Sequence, residues 1–248
     1  MNLKDKVAVV TGGGTGLGRE ISLDLAREGA HVVVVYSRSE TEAAGTVADL
    51  KALGSNAAAI RADVSQSADV TALIAKVAAD YGRIDVLVNN AGTTVFVDFK
   101  DLDGISEADW DKIMATNVKG PWLLAKAVAP IMKRQGRGSI IQTTSVAGLL
   151  AGGSSLAYTV SKAAETQLTR GLAMALAPEI TVNAIAPGLL ATRWGVARGE
   201  AVLSSTAAAA LLKKLPTVED CSAAVLMMIK NDSMTGQSIV VDAGRHFH

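Results

Sequence analysis

The chain has a single cysteine, Cys221. No internal disulfide can form, so burial alone must hold the fold, which suits a reducing compartment. Aromatic residues are 4% of 248. A core must therefore be built from Ala, Val, Leu and Ile, which favours buried parallel strands under helices over a β-sandwich. Neither sign of charge is in excess, with 24 Lys and Arg against 24 Asp and Glu. That balance argues against a polyanion-binding surface, and no nucleic-acid partner is expected. No apolar run reaches ~18 residues, and the opening MNLKDKVAVVTGGG has no signal-peptide core, so a soluble cytoplasmic protein without membrane contact is expected. His31, His246 and His248 are too scattered or too terminal to suggest a metal triad. Cys221 falls in a helical stretch and is expected to be buried and inert.

What is present is an alternation. Apolar runs at 7–10, 32–35, 57–60, 84–88, 139–143, 180–185 and 238–241 read as strands. Amphipathic stretches at 16–28, 41–53, 67–81, 155–177, 201–214 and 217–230 read as helices. A long helical region runs from Ser106 to about Gln135 with Pro121 inside it, where a kink or break is expected. Connections of helix length favour parallel pairing with right-handed crossovers. The expected fold is a single Rossmann-type doubly wound domain over residues 1–248, a seven-stranded parallel sheet with helices on both faces.

The first βα connection reads TGGGTGLG, Thr11 to Gly18. A glycine-rich turn between a strand and a helix can cradle a pyrophosphate at the helix N-terminus. Gly12 would allow the sharp turn, Gly16 the close approach of backbone to phosphate, and Gly18 close packing of the helix. Thr15 and Leu17 complete the candidate set. About 20 residues further on, an acid would hold the ribose hydroxyls of NAD. The chain has Ser37 and Arg38 there, and no acid before Glu40. Arg38 can pair with a 2′-phosphate and Ser37 can donate to it, so NADP is expected. NAD stays the alternative if Arg38 is only a solvated loop arginine. Asp63 and Val64 after the third strand are candidates for the adenine edge. Asn90, Ala91 and Gly92 after the fourth would let the cofactor lie against backbone.

The segment Thr143 to Lys162 carries Ser145, Tyr158 and Lys162. Tyr158 and Lys162 share a helix face. Free tyrosine titrates near ~10, and lowering that by ~3 units needs ~4 kcal/mol. One positive charge at ~4 Å supplies about that much at an effective dielectric of ~20. A phenol beside an ammonium is thus a proton donor and acceptor for neutral pH.

TGGGTGLG, Asp63, NNAG at 89–92, Asn117, Ser145, YTVSK at 158–162 and PGLLAT at 187–192 together resemble the short-chain dehydrogenase/reductase superfamily, in its 3-oxoacyl-carrier-protein reductase-like group. The resemblance covers nearly the whole chain in the family's order. It implies Tyr158 as general acid or base and Lys162 as the residue that lowers its pKa and holds the nicotinamide ribose. Ser145 would bond the substrate carbonyl. Asn117 would sit at a helix irregularity and hold a water linking Lys162 to solvent. Pro187, Gly188, Leu190 and Thr192 would line the nicotinamide. It further implies a small carbonyl or alcohol substrate, a substrate lid over about 193–216, and a homotetramer or homodimer through the helices around 122–131 and 156–176. Phe96 and Phe99 are expected to help wall the pocket. The chain departs from the family's pattern at Thr181, where arginine is common, and at Ala243-Gly244. The competing readings are a same-fold epimerase or dehydratase, which usually needs a longer substrate domain, and a non-catalytic dinucleotide sensor, which generally loses the Tyr or the Lys.

Overall fold

Seven short strands, mostly Val, Ile and Ala, pair in parallel in the order β3-β2-β1-β4-β5-β6-β7. They are β1 Val7–Thr11, β2 His31–Tyr36, β3 Ala58–Arg61, β4 Val86–Asn89, β5 Gly138–Thr143, β6 Ile180–Pro187 and β7 Ser238–Val241. The structure, a computed structural model, describes residues 1–246. Every strand found lies within two residues of the run that predicts it, and the doubly wound fold is as the sequence implies.

Alternate residues of the central strands feed two separate cores, which explains why those strands read as unbroken apolar runs. On one face Ala8, Val10, Val32, Val34 and Val86 pack under α1 Gly16–Arg27, α2 Glu40–Ala52 and α9 Val218–Lys230. Val7, Val9, Val33, Leu87 and Ile140 pack on the other face under α3 Ser67–Tyr81, α5 Gly120–Arg134 and α6 Leu156–Leu176. Each fully buried Leu or Ile, such as Leu87 and Ile141, contributes ~1.5–3 kcal/mol relative to exposure.

The long helical region is three pieces. α4 Glu107–Met114 is capped by Ser106, whose side chain accepts from the Asp109 amide. A π turn, Ala115–Lys119, follows, and then α5. The irregularity falls just before Pro121 rather than at it. Pro121 stands in the first turn of α5, directly after the π turn. The helix expected over 201–214 is shorter: α7 Arg193–Val196 and α8 Glu200–Ala209 are followed by irregular chain, with Lys213 at φ 52°. The capping box that starts α9 is formed as the sequence implies, between Thr217 and Asp220.

Candidate active site

The strand order reverses between β1 and β4, and ligands of open α/β sheets bind at the carboxyl ends of strands at such a point. A cleft of about 1680 Å³ opens there. One half is built from backbone. Gly12 takes φ +64°, and its N–H donates to Val35 O at 2.8 Å. A Cβ on Gly18 would stand 2.4 Å from both Gly12 O and Asn90 Nδ2, so only glycine lets α1 begin so close to the turn. Thr11 Oγ1 accepts from the Asn90 and Ala91 amides, each at 2.9 Å, and ties the β4 loop to the turn. α1 begins after Thr15 with no side-chain cap and no acid in its first turn. Its free N–H groups and dipole therefore face the cleft without a competing carboxylate, which fits a pyrophosphate.

Beyond the turn, Ser37 and Arg38 are exposed on the cleft rim after β2. Arg61 Nε donates to Ser37 O at 3.3 Å, bringing a second guanidinium to the same rim. Asp63 lines the cleft, with Oδ1 occupied by the Ser65 amide and hydroxyl.

The other half is built from side chains. Ser155 caps α6 by accepting from the Tyr158 amide at 3.3 Å, which places Tyr158 in the first turn. Lys162, one turn on, sends Nζ to Thr143 O and to Glu165 Oε2, both at 2.7 Å. Nζ lies 5.8 Å from the Tyr158 ring centre. The fold thus pairs the lysine that the sequence offers as a lone charge with a buried carboxylate. Burial works against the Lys162 ammonium, but Glu165 and Tyr158 offset it and hold its pKa above the ordinary value. Burial pushes the Glu165 carboxyl up to about 7, against the pull of Lys162.

Ser145 opens a 3-10 turn, Val146–Gly148, with Oγ accepting from the Ala147 amide at 3.1 Å. That bond leaves the hydroxyl hydrogen free to donate. A Cβ on Gly148 would meet the Lys162 carbonyl carbon at 2.5 Å, so this turn rests directly on α6. Trp194 of α7 stands over Tyr158, ring centres 5.6 Å apart and planes at 58°. Arg198 Nη2 reaches Gly153 O at 3.4 Å on the same side.

The cleft gathers Gly12, Thr15, Gly16, Leu17, Ser37, Arg38, Asp63, Val64, Asn90, Ala91 and Gly92. Ser145, Tyr158, Lys162, Pro187, Gly188, Leu190 and Thr192 line it too. Two predicted residues lie behind its wall. Gly18 acts by close packing. Asn117, on the π turn and fully buried, accepts from Thr93 N and donates to Thr93 O and Ser161 Oγ. Phe96 and Phe99 are not in the lining, and Phe96 is exposed; Leu150 and the 151–153 loop take their place. Sequence reasoning missed Thr11, Arg61, Arg198 and Glu165. Only Glu165 carried a signal, its spacing of three from Lys162 on one helix face.

Among the described residues no three of His, Cys, Asp and Glu gather into a metal set, and His248 lies outside those residues. No helix among them is long and apolar enough to cross a membrane. Cys221 is buried, its thiol pushed up to about 12 by burial.

A nucleotide-type cleft holding a tyrosine, lysine and serine on a doubly wound sheet defines a class of dehydrogenase, and the comparisons with known proteins agree. The family profile described as short chain dehydrogenase matches residues 6–202. A Streptomyces violaceoruber protein, named as ketoacyl reductase 2 of the granaticin polyketide synthase, is 38% identical over 97% of this chain and 96% of its own. The 3-oxoacyl-acyl-carrier-protein reductase of Staphylococcus epidermidis is 36% identical over 98% of this chain and 99% of its own. Among solved structures, levodione reductase superposes with a TM-score of 0.91 at 28% identity, covering 98% of both chains. The chain belongs to the short-chain dehydrogenase/reductase family and is an oxidoreductase.

Proposed function

We propose that this protein moves a hydride between NADP(H) and a ketone or secondary alcohol, with Tyr158 as general acid in reduction and general base in oxidation. The observation that carries the reading is that one cleft holds both the phosphate-type turn at 12–17 and the Ser145, Tyr158 and Lys162 side chains. The bound dinucleotide supplies or accepts the hydride. Ser145 donates its free hydroxyl hydrogen to the substrate oxygen, and Tyr158 exchanges a proton with that oxygen. Lys162 holds positive charge beside the phenol. Asn117 pins the loop after β4 against α6. Two relatives named for ketoacyl and oxoacyl reduction support a carbonyl substrate.

NADP is favoured over NAD by Arg38 and Ser37 at the end of β2, with Arg61 beside them. Residues 1–248 form one domain in this reading, with 193–216 as a lid whose Trp194 covers Tyr158. Trp122 and Met174, 44% and 86% exposed on α5 and α6, would be covered in a homotetramer or homodimer. The protein is placed in the cytoplasm.

Calorimetric titration with NADPH and NADH side by side tests the cofactor. Tighter binding of NADPH is expected. Arg38→Ala should weaken it by about 10–100-fold, the worth of one charge-assisted contact, and leave NADH unchanged. Equal or tighter NADH binding would remove the 2′-phosphate argument.

A further inference from the structure

Glu165 is 1% exposed and lies one turn beyond Lys162, with its carboxylate 2.7 Å from the ammonium. A carboxylate is costly to bury unless paired. Nothing in the proton exchange described above uses it. We propose that Glu165 is a positioning residue: it serves as the standing counterion of Lys162 and thereby sets how strongly that lysine favours the Tyr158 phenolate.

The geometry gives the reason. A buried ammonium requires an anion. Two groups can serve Lys162, the Glu165 carboxylate and the ionised Tyr158, and these are the charges that act on it. While Glu165 holds the lysine against Thr143 O, the phenol meets an ammonium already neutralised. Removing the carboxylate leaves Tyr158 as the nearest group able to take its place. The charges on packed elements do not compete. Glu107, Asp109, Asp111 and Lys112 of α4, Lys119 of the π turn and Lys126 of α5 are exposed or half-exposed, and Lys162 is the charge that acts on Glu165.

The test is the tyrosinate absorbance titration of the protein without added cofactor, with Tyr158→Phe as the blank. The chain has three tyrosines. Tyr36 and Tyr81 are both held above their ordinary value by burial, and subtracting the Tyr158→Phe blank removes their signal. Glu165→Gln should lower the Tyr158 midpoint by roughly 1–2 units, the size of shift that an added or lost neighbouring charge produces. The acid limb of alcohol oxidation should move down with it. Glu165→Asp, which restores a carboxylate, should return most of the shift and serves if the amide variant folds poorly. In a Lys162→Met background the buried carboxyl loses the charge that keeps it ionised, so Glu165→Gln should move the midpoint far less. An unchanged midpoint in Glu165→Gln, or a shift of undiminished size without Lys162, overturns the proposal. The pH profile rests on Tyr158 acting as acid and base, but the absorbance titration needs no turnover, so the two readings fail separately.

Discussion

The two halves of the cleft are made of different material. The nucleotide half is backbone: the turn at Gly12, the Gly18 approach and the uncapped start of α1. The chemical half is side chains on one helix, with Ser145 and Trp194 brought to them from elsewhere. Backbone sites depend on which residues are absent, and a Cβ in the wrong place spoils them. Side-chain sites depend on which partners are buried together, and there a change of charge matters more than a change of volume.

Substitutions should separate the two halves. The largest effect expected short of the tyrosine itself is Ser145→Ala, with kcat down by about 10²–10³-fold while calorimetry finds cofactor affinity kept. Gly18→Ala should act the other way. Alanine gains up to ~1 kcal/mol of helix propensity, but the clash with a backbone carbonyl costs ~1–3 kcal/mol and wins. Cofactor affinity should then fall, and the loss of turnover at low cofactor should be recovered at saturation. Thr217→Ala, just outside the cleft lining, removes the capping box of α9 and should lower stability by ~1 kcal/mol in thermal melts with kcat unchanged.

The smallest effect concerns Cys221. Its folded pKa, about 12, lies above its ordinary 9.0. Its contribution to stability is therefore complete below pH 9.0 and fades as pH rises toward 12. At pH ~8 alkylation should wait on unfolding. Prompt labelling of the folded chain would show that α9 opens readily.

The same contrast governs what can be read from the sequence. The strands announce themselves, because a valine run such as 32–35 under helices on both faces has few other homes. The glycine turn announces itself because glycine marks backbone geometry. Tyr158 and Lys162 are readable as a pair because four residues is a helical turn. Glu165 offers only its spacing of three from Lys162, since a charged residue on a helix ordinarily faces solvent, and only the structure shows that this one is buried against the lysine. The π turn is hidden from the residue pattern, and only the family resemblance puts an irregularity at Asn117. Proline points to the right neighbourhood, but an extra residue in a helical turn leaves no pattern of its own in ATNVK. The end of α8 at Ala209 is not legible either, because an alanine-rich stretch has high helix propensity whatever follows it.

The most direct test of the account is Tyr158→Phe, assayed for ketone reduction with NADPH and titrated with the same cofactor. Turnover should fall by at least about 10²–10⁴-fold, the range for loss of a positioned general acid, with cofactor affinity nearly unchanged. A variant that binds cofactor and keeps most of its activity would contradict the assignment of Tyr158 as the proton donor.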